Sequence, residues 1–409
     1  MPVLMFTSME AAKPRRTLGL LLVISLITSA IVLIVGGCAP RKPTSQRSTK
    51  AVVAAPAPPS LYVGDAACAP CHASIAAKHA ASAHKSSLLL VTDARFGKLF
   101  RLGQEVKDPR HGLTYRPGVQ NGACVIAGTG PNGPFSYPAE LAVGSGHNGI
   151  TFLGHEDSVT WATLRLTYYA TRHTWQFSPH QTPEEASSDQ PAGREMAPEE
   201  AALCLRCHVT ELKQTPYDLD IAHSLLGVGC EACHGPGRAH VESAQAMAAG
   251  KAKSIVAFAA LSPQDPPAVE KVCSPCHSTE HGVLGITEAT AGKLQRFQAS
   301  ALEQSRCFRE SKALSCATCH DPHTDVVSNR SAEEAICLSC HKPRSAAITP
   351  VIAKTVAARS CPVNPRTGCI PCHMPPALLP DAPSYPFHNH WIKVYKNVGN
   401  PMSRAAPHP

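Results

Sequence analysis

One short pattern occurs seven times in this chain of 409 residues: two cysteines separated by two residues, with a histidine directly after the second. The chain has only 21 histidines, so chance would place one after all seven pairs in about one sequence in a billion. In covalent haem attachment, each thiol of such a pair bonds to one vinyl group of the porphyrin, and the histidine becomes the proximal iron ligand. The pattern therefore predicts seven haem c groups. The motifs are Cys68, Cys71 and His72; Cys204, Cys207 and His208; Cys230, Cys233 and His234; Cys273, Cys276 and His277; Cys316, Cys319 and His320; Cys337, Cys340 and His341; and Cys369, Cys372 and His373.

Zinc binding and dithiol redox chemistry are the alternative interpretations of a Cys-x-x-Cys pair. A zinc ribbon would match the pairs two by two, without the trailing histidine. A thioredoxin-like dithiol would place a single pair beside a βαβ pattern. The histidine after every pair therefore favours haem over both alternatives.

The amino-terminal segment has the pattern of an export signal. Three basic residues within positions 13–16 precede an apolar run, 18–35, which ends shortly before Cys38. This predicts a signal peptide over residues 1–37, and the stretch 35–38 resembles a bacterial lipobox in which Cys38 is lipidated. The alternative is an uncleaved single transmembrane helix. Both place the rest of the chain on the periplasmic side of a bacterial cell envelope, where haem attachment and disulfides form.

The charge of the chain argues against nucleic acid as a partner. The formal net charge of +8 describes the unprocessed chain, and loss of residues 1–37 removes three basic residues and one acidic residue, leaving +6. Seven haems would add about −14 from their propionates and about +7 from ferric irons. The oxidised mature protein is then near neutral, unlike a nucleic-acid-binding domain.

The spacing of the motifs suggests how the chain is organised. Six of the seven motifs follow residue 200, and the stretch between the first two is rich in glycine and proline and shows β-type alternation over residues 159–169. We expect a mostly α-helical fold with much irregular structure, a multihaem cytochrome c architecture organised around stacked haems, and a small β-rich insertion. The expected segments are a signal peptide (1–37), a flexible tether (38–60), a helical segment with the first haem (61–95), the β-rich insertion (96–185), a domain with haems 2 to 7 (186–395) and a tail (396–409).

Histidines outside the motifs are candidates for the second axial ligand of each iron. Fourteen are present, enough for every haem. Two imidazoles on one iron have their nitrogens only about 4 Å apart, so a histidine that closely follows a motif is better placed to reach a neighbouring haem than its own. The candidates for these distal positions are His84, His223, His240, His323 and His390.

Four stretches of the chain resemble multihaem cytochromes related to the tetrahaem electron acceptor of hydroxylamine oxidoreductase, including relatives fused to tetratricopeptide repeats. The resemblance implies electron transfer to and from redox partner proteins of the cell envelope, and it implies the same five distal histidines. Seven motifs exceed the tetrahaem pattern, and no repeat domain follows them. The stretches are Tyr62–His84, Gly229–His240, Ser305–His323 and Cys369–Pro375.

Three cysteines of the exported part lie outside the motifs: Cys124, Cys307 and Cys361. One disulfide and one single thiol are possible, with three pairings that the spacing alone does not rank. We favour a disulfide between Cys307 and Cys361, because both flank motifs in the half of the chain that resembles the cytochrome family.

Two functions fit the motifs. The first is electron transfer through haems that mostly have two histidine ligands and therefore no open position for a substrate. The alternative is an oxidoreductase of small nitrogen or sulfur compounds, which needs one iron with a vacant distal position. All seven motifs end in histidine, and none carries the lysine that replaces it at the active site of pentahaem nitrite reductases. The sequence therefore favours the non-enzymatic electron carrier.

Overall fold

The structure is a computed structural model. The signal peptide, Cys38, the tether up to residue 59 and the tail 396–409 lie outside the residues that it describes. Among the described residues, no helix is both long enough and apolar enough to cross a membrane. The described residues are 60–157, 159–186, 190–278, 297–325, 330–341, 361–364, 366–379 and 382–395.

The helices are short, and several end at or near a motif histidine. Two 3₁₀ turns cover Ala170–Arg172 and Arg206–His208. The α-helices are α1 (Asp65–Cys68), α2 (Ala73–Ala80), α3 (Ala94–Phe100), α4 (Pro198–Leu205), α5 (Cys230–His234), α6 (Arg238–Ala248), α7 (Pro266–His277), α8 (Gln298–Glu303), α9 (Arg306–Ser311), α10 (Cys316–Cys319), α11 (Arg330–Cys340) and α12 (Cys369–His373).

The strands form four antiparallel sheets. A six-stranded sheet has the order β1-β6-β7-β8-β10, with β9 also paired to β8, and a four-stranded sheet has the order β2-β3-β4-β5. β11 pairs with β12, and β13 pairs with β14. The strands are β1 (Leu88–Leu90), β2 (Val106–Asp108), β3 (Leu113–Gln120), β4 (Ala123–Gly130), β5 (Gly133–Pro138), β6 (Leu141–Val143), β7 (Gly149–His155), β8 (Trp161–Tyr169), β9 (Thr174–Phe177), β10 (Gly193–Met196), β11 (Val209–Gln214), β12 (Leu219–Leu226), β13 (Pro376–Leu379) and β14 (Ala382–His388).

An aromatic core lies between the six-stranded and four-stranded sheets. The ring centre of Phe100, on α3, is 4.9 Å from that of Phe152 and 5.0 Å from that of Trp175. Tyr168 lies 5.4 Å from Trp175. These edge-to-face contacts, together with the large area that aromatic rings bury, make this the principal apolar core of the described residues.

A buried ion pair crosses the same core. Arg165 of β8 and Asp108 of β2 are both fully buried, with 2.7 Å between the guanidinium and the carboxylate. The guanidinium also donates to the Gln181 carbonyl at 2.9 Å and to the Tyr115 hydroxyl at 3.3 Å. His111 approaches the same carboxylate at 2.8 Å, so the buried charges are paired and hydrogen-bonded.

The expectation of a mostly α-helical fold organised around stacked haems, with a small β-rich insertion, is wrong. Strands extend from residue 88 to residue 226, beyond both ends of the expected insertion at 96–185. Four of the helices are single turns, because the Cys-x-x-Cys-His motif at each of them spans little more than one helical turn. The helices α1, α5, α10 and α12 therefore span only four or five residues each.

Candidate haem-binding sites

Each motif places its two cysteines on one face of a helical turn. Residues three or four apart are neighbours on a helix surface, so both thiols and the histidine can address one porphyrin. All fourteen motif cysteines are free thiols in the structure, which leaves them able to form thioether bonds. We number the motifs site 1 to site 7 in chain order.

Four histidines outside the motifs face a motif histidine across a similar gap. Two imidazoles that share one metal ion have ring centres about 6 Å apart, because each metal–nitrogen bond is about 2 Å long. The facing pairs have this separation, and in each pair the second histidine follows the motif of a different site. The ring centres are 6.5 Å apart for His72 and His240, 6.2 Å for His277 and His84, 6.3 Å for His234 and His323, and 6.2 Å for His320 and His390.

The Nδ1 atoms of these imidazoles are held by hydrogen bonds. An Nδ1–H group that donates to an oxygen fixes the ring orientation and leaves Nε2 unprotonated as the metal ligand. The Nδ1 distances are 2.9 Å from His240 to the Val256 carbonyl, 2.9 Å from His323 to the Asp321 carboxylate, 3.0 Å from His390 to the His388 carbonyl and 2.7 Å from His234 to the Ala259 carbonyl.

Burial keeps several of these imidazoles in the neutral form that binds metal. Burial lowers the pKa of His390 to about 4, since desolvation disfavours the charged ring. The pKa values of His277 and His320 are also lowered by burial. Neutral rings at sites 4 and 5 suit coordination to iron.

Four of the seven motif histidines thus have a facing histidine in the described part of the structure, whereas His208, His373 and the candidate distal residue His223 have no such pairing there. The Nδ1 atom of His208 is buried and has no hydrogen-bond partner among the described residues. Within those residues no second histidine ring stacks on His208 or His373, and none on His223. The exposed His223 ring holds its Nδ1 2.8 Å from the Asp220 carboxylate, so its Nε2 points away from that bond.

Cys307 and Cys361, the pair favoured for a disulfide, are free thiols in the structure. Cys307 lies near Cys340 of site 6, and burial raises the pKa of its thiol. Cys361 lies near Cys369 of site 7. The pairing of Cys307 with Cys361 stays a prediction.

Sequence reasoning missed a set of carboxylates that lie between sites. Asp65 and Glu231 join the helices of sites 1 and 3, and Glu334 joins those of sites 6 and 7. Asp65 and Glu334 each lie three residues before the first cysteine of their own motif, and this spacing is the signal that could have identified them. The sequence offered no indication of which motif each carboxylate would contact.

Comparison with known proteins agrees with the motifs. Residues 162–235 match the family model described as cytochrome c554 and c-prime, and this stretch contains the motifs of sites 2 and 3. Together with the motifs, the match supports a multihaem c-type cytochrome. The chain is also similar to the crystal structure of outer cell wall cytochrome OcwA, with a TM-score of 0.45 and 15% identity, over 82% of this chain and 80% of that one. No curated protein matches the chain.

Proposed function

We propose that this protein is a heptahaem c-type cytochrome that transfers electrons in the cell envelope, mostly through haems with two histidine ligands. The four facing histidine pairs carry the proposal. Their ring separations of 6.2 to 6.5 Å suit one iron between each pair. When bound, each haem supplies a one-electron redox centre.

The chain's own residues then divide into attachment, proximal and distal roles. The motif cysteines hold the porphyrins, and the motif histidines are the proximal ligands. His240, His323, His84 and His390 are the distal ligands of sites 1, 3, 4 and 5. The role of His223 as a distal ligand, at a site other than these four, stays a prediction. Filling both axial positions leaves no coordination position for a substrate at these four sites, which favours electron transfer over catalysis.

The proposed setting is the periplasmic side of a bacterial cell envelope. Covalent haem c and an amino-terminal export signal both belong outside the cytoplasm. The proposed anchor is a lipid on Cys38, with a single transmembrane helix as the alternative. The proposed partners are redox proteins of the cell envelope.

One observation favours a second candidate function. Within the described residues no histidine ring faces His208 or His373, and the Nδ1 atom of His208 is buried. An iron with a vacant distal position at site 2 or site 7 could bind a substrate, and the protein would then be an oxidoreductase of small nitrogen or sulfur compounds. That reading predicts a stoichiometric high-spin haem in the oxidised wild-type protein.

The test combines haem counting with electron paramagnetic resonance (EPR). We expect seven haems per chain by the pyridine haemochrome assay, with mostly low-spin signals in the oxidised protein. His323→Gly should convert one low-spin haem to high spin, whereas the control His180→Gly, at an exposed histidine in the turn after β9, should change no signal. A count far from seven, or an unchanged spectrum in His323→Gly, contradicts the proposal. A high-spin haem that turns over hydroxylamine or nitrite in the wild type supports the second candidate instead.

A further inference from the structure

Four haem-attachment helices are single turns, and the first N–H groups of such helices have no partner inside the helix. Helix α10 satisfies its own amino end through a capping box between Ser315 and Thr318. Helices α1, α5 and α12 instead begin after Gly64, Gly229 and Gly368, which carry no side chain that could cap them. Their caps must therefore come from elsewhere.

Helices α1 and α5 cap each other. The Asp65 carboxylate, in α1, accepts the N–H of Cys230 at the start of α5 with a distance of 2.9 Å. In return the Glu231 carboxylate, in α5, accepts the N–H groups of Gly64 at 2.7 Å and of Val63 at 3.0 Å. Glu231 is 1% exposed, so removal of this acceptor would leave the partly buried N–H groups of Val63 and Gly64 without their partner.

The close approach of the two helices depends on the glycine that precedes α5. A Cβ atom at Gly229 would clash with the Asp65 carboxylate and the Thr210 hydroxyl, and would displace the carboxylate from its position at the start of α5. Cys68 and Cys230, the first cysteines of sites 1 and 3, lie close enough that Cys68 adds to the effect of burial and of Asp65 in raising the pKa of the Cys230 thiol. The two porphyrin attachment points are thus adjacent.

The same arrangement recurs between sites 6 and 7. Glu334 of α11 is 7% exposed and accepts the N–H of Gly368, directly before α12, at 3.0 Å. Cys369 likewise lies close enough to Cys337 to add to the effect of burial in raising the pKa of the Cys337 thiol. Glu334 lies three residues before Cys337, and Asp65 lies three residues before Cys68, so each capping carboxylate occupies the same face of its helix as the first cysteine.

We propose that Asp65 and Glu231 are positioning residues that hold sites 1 and 3 together as one pair, and that Glu334 does the same for sites 6 and 7. This inference rests on the proposed attachment of haem at the motifs. Site 5 serves as an internal contrast, because Ser315 caps its helix from within.

The test uses EPR of the oxidised, haem-loaded full chain. His240→Gly and His323→Gly first identify the signals of sites 1 and 3, since each removes one facing imidazole. Asp65→Ala should then shift both of these signals and leave the others in place. Asp65→Asn keeps an acceptor oxygen and should restore both signals.

The control is Lys85→Ala. Lys85 forms an ion pair with Asp65 at 2.7 Å but donates nothing to either helix end, so its removal should leave the signals of sites 1 and 3 unchanged. For the second pair, Glu334→Ala should shift two signals and Glu334→Gln none. Ser315→Ala should shift one signal alone.

The outcomes separate the two proposals. A wild-type protein without seven haems contradicts the proposed function. Seven haems, with Asp65→Ala shifting the signal of a single site or shifting every signal alike, contradicts the pairing only. Should Asp65→Ala yield no folded protein, the Glu334 variants decide the question by the same criterion.

Discussion

In the sheet region, residues 88–226, large side chains such as Phe152, Trp161 and Trp175 are at most 1% exposed. In the C-terminal haem region, residues 227–395, the buried apolar side chains of the described residues are mostly small. They are Val269, Ala299, Ala301, Leu302 and Ile370. The sheet region therefore packs a core from its own large apolar side chains. The C-terminal haem region buries few such side chains among its described residues.

This difference indicates what the haems contribute to folding. Burial of apolar area is the main favourable term in folding, and a region without large buried side chains must obtain that area from another source. The seven proposed porphyrins would offer large apolar faces, and five of the seven motifs lie within the C-terminal haem region. We infer that the sheet region folds on its side chains and that the C-terminal haem region folds on its cofactors.

Removal of haem gives the largest expected effect. The full chain produced without haem attachment should keep the antiparallel sheets of residues 88–226 and lose the structure of the C-terminal haem region, because a group that binds only the folded state stabilises it. Hydrogen exchange read by mass spectrometry should show protected amides in β7 and β8 and rapid exchange in α7 and α11.

The haem-loaded chain is the control for that experiment, since both regions should then be protected. Equal loss of protection in both regions would contradict the comparison, as would a haem-free chain that keeps α7 protected. Urea titration of the haem-free chain should still show a cooperative transition from the sheet region.

The buried ion pair gives the second-largest effect. Asp108→Asn should lower the free energy of unfolding of the sheet region by about 3–5 kcal/mol, because it leaves Arg165 buried without its counter-charge. The surface ion pair of Asp93 and Arg95 is the matched control. Loss of that pair in Asp93→Asn should lower the free energy of unfolding by about 0–1 kcal/mol. Chemical denaturation followed by circular dichroism measures both.

The same pair predicts a dependence on pH. Burial would raise the pKa of Asp108, but hydrogen bonds from His111 and the charge of Arg165 outweigh it and hold the pKa below the usual value. A carboxyl with a lowered pKa contributes stability above its unfolded pKa of about 3.9, and this is lost as the pH falls through the folded value. The wild-type sheet region should lose stability below about pH 4, and Asp108→Asn should remove that part of the dependence.

Local pattern predicted some of the fold, and long-range pairing determined the rest. The alternation over residues 159–169 indicates a strand, and β8 spans Trp161–Tyr169. By contrast, β1 and β10 have only three or four residues, and their sequences show no alternation that would distinguish them from loops. They become strands because β6 and β8 offer partners, which the sequence does not display.

The same limit applies to the sites. The motifs are local in sequence, so spacing alone predicts the cysteines and proximal histidines. The rule that a histidine following one motif serves another site is also local, but which site it faces depends on the fold. His84 follows site 1 and faces His277 of site 4, which lies 193 residues further along the chain. The capping by Asp65 and Glu231 is equally long-range.

Two helix caps provide the smallest and most selective comparison between the regions. Asp93 caps α3 by accepting the N–H of Arg95 at 3.0 Å, and Asp265 caps α7 by accepting the N–H of Ala268 at 3.3 Å. Replacement of either cap by alanine should destabilise its helix by about 1 kcal/mol. α3 packs in the aromatic core, whereas α7 carries site 4.

The two variants should therefore respond differently to haem. Asp93→Ala should lower the free energy of unfolding of the sheet region by the same amount with and without haem, since its helix depends on Phe96 and Phe100. Asp265→Ala should have this effect only in the haem-loaded chain, because α7 is unfolded without haem and has no cap to lose. Denaturant titrations of both variants in both states measure the four values. An equal effect of Asp265→Ala in the haem-free chain would show that α7 forms on its own side chains, and the distinction between the two regions would then fail at site 4.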